Sequence, residues 1–231
     1  MLYYFCCMLN QINKIMNKSV FYRKMFKCCA DKTDWRTSIT GINYVVNENE
    51  SILTSTNSCM LVQAYLPSDF APTDFNGKTK DINGIDVDRK FPNVSAVIST
   101  CEPKHSYKYS IKELINICNF MLKHKNGIYG KNPPKNRLDF NGAYINVKYL
   151  KTVLNVLSMF SLYVTIEVRR IDLPLMLKIK DSKTFGIVMP SLKYDVDSGW
   201  DDPWAKVEYT IDEAIELMDA KPFIKDKMWY E

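Results

Sequence analysis

The sequence predicts an α+β fold in which helices pack on antiparallel sheet. Two observations carry this reading. Three segments place apolar residues on one helical face, and between them lie short runs rich in β-branched and aromatic residues, bounded by turn formers. Composition permits it: of 231 residues, 46% are hydrophobic and 25% charged, with only eight glycines. That is enough apolar material for one large domain or two small ones, with no long stretch biased towards disorder.

The elements follow in order. Met1 to Leu9 (MLYYFCCML) is apolar but lacks a basic leader and a cleavage site, and is shorter than the roughly 20 residues that cross a bilayer. It is expected as a buried strand or helix start, with Met8 and Met16 as alternative initiators. Lys18 to Ala30 reads as a helix with Tyr22, Met25, Phe26 and Cys29 on one face. Arg36 to Val46 and Ser51 to Leu66 read as the two strands of a hairpin turning at Asn47–Glu50, followed by a loop from Pro67 to Asn83. Phe91 to Ile98 is expected to be extended. A second helix runs from its N-cap Ser110, with Glu113 completing a capping box, to Lys123. It turns Ile111, Leu114, Ile115 and Cys118 inward.

A connector at Asn126–Asn136 leads to a strand at Leu138–Ile145. A third helix, Val147–Leu157, is capped by Asn146 and striped by Val147, Leu150, Val153, Leu154 and Leu157. Strands are expected at Tyr163–Arg170, Leu175–Ile179 and Thr184–Met189, then a linker, and an acidic helix at Thr210–Ala220 capped by Thr210 and Glu213. The aromatic end FIKDKMWY reads as packing or as a short binding peptide.

The formal charge of +5 is unevenly spread. Five basic against eleven acidic residues from Lys193 onward leave −6 there, and +11 over the first 192 positions. A basic body with an acidic tail points to a polyanionic partner. The polar sides of the three helices agree. They offer Lys18, Arg23, Lys24 and Lys27 on the first, Lys112, Asn116, Asn119 and Lys123 on the second, and Lys148, Lys151, Thr152 and Asn155 on the third. A merely solvated helix usually mixes Glu with Lys. Faces nearly free of carboxylates suit repeated, sequence-independent phosphate contact, with a lysine-rich surface as the plainer account.

Catalytic and metal patterns are absent. His105 and His124 stand apart from any metal-spaced Cys or acid, and Asp201-Asp202 reads as a solvated doublet. No phosphate-binding glycine loop or nucleophile elbow occurs, so neither an enzyme nor a cofactor is expected. The seven cysteines form no CxxC and are odd in number, so they read as small buried hydrophobes of a reducing, cytoplasmic protein.

Four phrases, in order, resemble one family. YINVKYLKTVLNVL (Tyr144–Leu157) looks like the helix-bearing repeat in the last domain of the bacterial DNA sliding clamp, the beta subunit of DNA polymerase III. YVTIEVRRIDLPLMLKI and TFGIVMPSL resemble that domain's closing strands with their Met-Pro motif, here Met189-Pro190. CCADKTDWRTSITGI with ILTSTNSCML resembles the start of the middle domain, and Phe91-Pro92-Asn93 the phrase leading into the last. The likeness covers residues 20–66 and 91–192.

The resemblance implies clamp-like repeats of helices on antiparallel sheet. They divide into an N-terminal half unit plus loop (1–90), a C-terminal unit (91–192) and an acidic tail with a short helix (193–231). It implies a processivity factor that holds duplex DNA non-specifically through those lysines and works as a homo-oligomer. A pocket of Thr56, Leu61, Pro92, Met189 and Pro190 would tether DNA polymerase or another replication protein. Departures favour an alternative, a clamp-derived interaction module without ring or DNA encirclement. Ser55 to Leu61 lacks the acid, glycine, histidine and arginine of the family phrase, Cys59 and Met60 stand where it has polar groups, and only about three helix-bearing units are present. The chain would then be a shortened or divergent clamp, as in phage or mobile elements.

Overall fold

The computed structural model describes residues 16–98, 101–123, 137–191 and 208–219. Its centre is an eight-stranded sheet, antiparallel throughout, in the order β4-β1-β2-β3-β10-β9-β8-β5. The strands are β1 (Ile42–Val46), β2 (Glu50–Thr56), β3 (Met60–Pro67), β4 (Thr79–Lys80), β5 (His105–Ser110), β8 (Tyr163–Val168), β9 (Leu175–Lys178) and β10 (Phe185–Val188). A small second sheet joins β6 (Arg137–Phe140) antiparallel to β7 (Ala143–Asn146) and parallel to β11 (Glu208–Thr210).

Four helices complete the described fold: α1 (Lys18–Phe26), α2 (Ile111–Lys123), α3 (Val147–Leu157) and α4 (Ile211–Asp219). The α+β expectation holds, and the best-patterned helix falls where the sequence places it. Asn146 Oδ1 accepts from Lys148 N at 2.9 Å, and the whole predicted stripe of α3 is buried. α1 stops at Phe26, short of Ala30. Cys28 N and Cys29 N turn to the carbonyls three residues back, at 2.9 and 3.2 Å, so the last turn tightens and ends the helix. α4 starts on a reciprocal capping box, with Thr210 N donating to Glu213 Oε2 (2.8 Å) and Glu213 N to Thr210 Oγ1 (3.2 Å).

Several strand expectations need correction. The predicted strand Ser51–Leu66 is two strands, because Asn57 Oδ1 accepts from Cys59 N and Met60 N (both 3.0 Å) and Ser58 takes a φ of 71°. Leu138–Ile145 is likewise a hairpin, turning at Asn141-Gly142 with φ of 57° and 88°. Arg36–Gly41 holds a 3-10 turn at Thr37–Ile39 instead of strand, and Phe91–Ile98 holds another at Val94–Ala96, capped by Asn93 (Ser95 N to Oδ1, 3.1 Å). β5 and β11 form where the sequence pattern predicts no strand, and the expected loop Pro67–Asn83 carries β4. The N-terminal segment 1–15, the connector 126–136, His124, the linker after Tyr194 and the aromatic end lie outside the described residues.

The side-chain alternation of the strands assigns the two sheet faces. Along the register Ser55↔Val62↔Gly186↔Leu177↔Ile166, side chains point to the helices, and Gly186 lets α3 sit directly on β10. Met25 of α1 reaches Ser55 on this face, and Tyr22 packs beside Tyr44 of β1. Leu150, Leu154 and Leu157 of α3 join Phe21, Leu53, Leu114 and Ile166 in one core that extends to Ile211 and Ala214 of α4. Cys28 and Cys118 are buried there as expected, and burial pushes both thiols up to about 12, while Cys101 is exposed. Among the described residues no helix is long and apolar enough to cross a membrane.

A methyl group at position 186 would lie 2.2 Å from Val153 Cγ1, whose branched side chain has little rotamer freedom in a helix. Gly186→Ala is therefore expected to destabilise the fold by about 1–3 kcal/mol, read as a lower midpoint in urea denaturation.

Candidate functional site

On the face away from the helices, the next register pair along the seam is Leu61↔Ile187. These two side chains form the floor of a cavity of about 270 Å³, and with Met176 and Phe185 they make a second, smaller apolar cluster. One wall is the β2–β3 turn. Thr56 Oγ1 donates to Met60 O (2.7 Å) and accepts from Ser58 N (3.1 Å), and Met189 N donates to Cys59 O (2.8 Å), extending the ladder so that Met189 borders the same space. The opposite wall is the connector carrying Phe91, Pro92, Val94 and Val97.

Further along the chain, Cys101 is tied to the end of β8. Arg169 Nε donates to Cys101 O at 2.6 Å, while its other nitrogens meet Glu167 Oε2 (3.0 Å) and Met176 Sδ (3.2 Å) in a buried group. Lys178 Nζ closes on Glu167 Oε1 at 2.8 Å. At the mouth, Arg36 is fixed by Asp34, through Nε (3.0 Å) and Nη2 (2.7 Å), and donates from Nη1 to Ser58 Oγ (2.7 Å). Beside it Trp35 is 79% exposed, its ring 5.8 Å from the guanidinium. The hydrogen bonds from Arg36 hold the Asp34 carboxyl down at about 2.

Of the pocket residues named from the sequence, Thr56, Leu61, Pro92 and Met189 line this one cavity, and Pro190 does not. Sequence reasoning missed Arg36, Ile39, Val97 and Ile187. Arg36 lies inside the phrase CCADKTDWRTSITGI that carries the resemblance, and Val97 follows Phe91-Pro92-Asn93 closely, so both lay within reach. Ile187 carries no signal beyond an ordinary strand.

The basic residues lie on the helix layer, across the sheet from the cavity. α3 packs between α1 and α2. Arg23, Lys27, Lys112 and Lys148 are exposed. Lys24 is half-buried and donates to Ser158 Oγ (3.3 Å) just beyond α3; burial, then the charges of Lys27 and Arg23, push its pKa down. Lys151 is half-buried and close enough to α2 for its charge to act on the Cys118 thiol. Lys18 is set aside, its ammonium bound to Phe70 O (3.0 Å) and over the Phe70 ring (4.8 Å). The side chain of Lys123 lies outside the described part. No group of three or more metal-ligating side chains occurs among the described residues.

Helices covering one face of a long antiparallel sheet, with closing strands at its centre, define a clamp-like fold. Solved structures share it. The chain is similar to the DNA polymerase III beta subunit of Thermotoga maritima, at 14% identity and a TM-score of 0.53, over 77% of this chain and 65% of that one. It is similar to the beta subunit of Streptococcus pyogenes DNA polymerase (12%, TM-score 0.55, 76% and 63%). The Helicobacter pylori beta clamp bound to a DNA ligase peptide is a third (13%, TM-score 0.53, 75% and 63%). The sequence matches no family model and no curated protein. The likeness is one of fold, and the match spans just under two-thirds of those chains' length.

The mouth of the cavity carries a pH signature. The Asp34 carboxyl is depressed from an ordinary 3.8, so whatever stability it lends is fully present above that value and is lost as pH falls through about 2. The acid-unfolding profile of Asp34→Asn is expected to lack this component between those two values, while the two profiles run parallel at neutral pH.

Proposed function

We propose that this chain is a sliding-clamp-like processivity factor. It holds duplex DNA without sequence preference on its helix layer, tethers a polymerase or another replication protein through the cavity, and acts in the cytoplasm as a homo-oligomer. One observation carries the reading: exposed basic side chains and an open apolar cavity occupy opposite faces of one sheet. Arg23, Lys27, Lys112, Lys148 and Lys151 are the proposed phosphate contacts. They contribute sequence-independent attraction that fades as salt competes. Thr56, Leu61, Pro92 and Met189 are the proposed pocket, joined by Val97 and Ile187. The cavity is the size of a few side chains, which suits a short apolar segment of a partner such as the ligase peptide held by the Helicobacter pylori clamp. No catalytic role is assigned.

A second reading rests on Lys18 and Lys24, whose ammonium groups bond to Phe70 O and Ser158 Oγ. In this reading the chain is an interaction module that docks partners and encircles no DNA. Peptide binding with no measurable affinity for duplex at low salt selects it.

Two measurements test the first reading. Fluorescence anisotropy with a labelled duplex is expected to show binding that weakens steeply with salt. Lys148→Gln with Lys151→Gln is expected to weaken it alike for all sequences and to lower the slope of log K against log salt by about 1 for each lysine replaced; binding indifferent to salt rejects it. For the cavity, Val97→Trp fills the mouth from a position that is 40% exposed. It is expected to weaken binding of the Helicobacter pylori ligase peptide by about tenfold or more, roughly the worth of one buried anchor, with DNA affinity unchanged.

A further inference from the structure

The chain carries one strand-to-helix unit twice. β5 runs straight into α2, and one hundred positions later β11 runs straight into α4. Tyr109, Ser110, Ile111, Glu113 and Ile115 of the first unit match Tyr209, Thr210, Ile211, Glu213 and Ile215 of the second. The local structure repeats with the residues. Each helix opens on a hydroxyl that accepts from the amide three positions on, Ser110 Oγ from Glu113 N (3.4 Å) and Thr210 Oγ1 from Glu213 N (3.2 Å). Each then turns the same two positions into the core, Ile111 with Leu114 and Ile211 with Ala214.

The charge does not repeat. Where the first unit has Lys108, Lys112, Asn116 and Asn119, the second has Glu208, Asp212, Glu216 and Asp219. Each of these changes runs towards negative charge. Lys112 and Asn116 are exposed on α2, and Asp212 and Glu216 are exposed on α4. Packing asks for the inward residues only, and α2 shows that lysine and asparagine serve outside them equally well. The acids on α4 therefore need another reason.

Their position supplies one. α4 packs against α2, so the described helix layer runs α1, α3, α2, α4, with an acidic helix at its end. Asp212 is close enough to β5 to act on Tyr109: burial, then Tyr107, then Asp212 push that hydroxyl above its ordinary pKa. We propose that α4 is an electrostatic stop, whose carboxylates hold duplex DNA off this end of the layer and confine it to α1, α3 and α2. The inference rests on the reading of the helix layer as the DNA-binding face. Range decides how it acts. Helices in contact lie about 8–10 Å apart, within the Debye length of about 10 Å at 0.1 M salt. A phosphate over Lys112 or Asn116 therefore feels Asp212 and Glu216. One over Lys27 of α1, two helices further along, is screened from them.

The test is fluorescence anisotropy with a labelled duplex and the full chain at about 0.1 M salt. Asp212→Asn with Glu216→Gln is expected to raise affinity about threefold, a gain that shrinks as salt rises. Glu216→Lys leaves the first turn of α4 untouched and is expected to give a similar gain, which keeps the test sound if the double variant loses its helix. Glu48→Gln with Asp181→Asn removes the same charge from exposed turns outside the helix layer, and its affinity is expected to stay as it was. Native binding with no gain in either α4 variant overturns the stop alone. So does an equal gain in the turn variant, which would make net charge the cause. Duplex binding by none of these proteins overturns the DNA-binding reading together with it.

Discussion

The antiparallel pairing of β3 with β10 is the contact on which the rest of the structure depends. It joins strands more than a hundred positions apart in sequence and makes one sheet of what would otherwise be two. The pleat then sends alternate residues to opposite sides. Val62 and Gly186 meet α3, and Leu61 and Ile187 floor the cavity. A slip of one residue would exchange those roles, placing Ile187 against Val153, where there is no room even for a methyl group. The separation of helix layer and cavity is therefore a property of register, set by a single glycine on one side and a short turn on the other.

Much of this was legible in the sequence, and the reasons for the gaps are local. α3 was readable to the residue because cap, stripe and length agree. The turns at Asn57–Cys59 and Asn141-Gly142 were hidden inside β-rich runs, although both carry turn chemistry: an Asn side chain folding onto the next backbone amides in one, an Asn-Gly pair in the other. β5 was missed because an edge strand needs only alternate inward residues, and Tyr107 and Tyr109 were too few to mark a period. The cavity was legible only through resemblance. Thr56, Leu61, Pro92 and Met189 come from separate stretches, and nothing in their spacing brings them together without the seam. Pro190, one residue past Met189, points elsewhere because the chain has already left the sheet to reach Tyr144 through Ser191 N (2.7 Å).

The basic residues divide by what they touch. A lysine on a helix is ordinarily a solvated charge on a long stem, and counting lysines from sequence treats them all alike. Here Lys18 lies over an aromatic ring and two carbonyls, and Lys24 reaches the end of α3, so their charge knits α1 to its neighbours. Arg23, Lys27, Lys112 and Lys148 keep their heads in solvent. That distinction depends on which helices abut, and so on the same sheet that orders them.

The buried pair of Glu167 and Arg169 acts at a distance. As an ion pair it adds little to stability, because the desolvation of both charges offsets most of their attraction. Its bond to Cys101 O does something else: it anchors the far end of the segment whose near end forms a wall of the cavity. Neither Glu167, Arg169 nor Cys101 lines the cavity, so this contact stands outside the lining itself. Anchor and lining are thus separate sets of residues, Arg169 and Cys101 in one, Val94 and Val97 in the other, so a substitution can alter the first and leave the second as it stands.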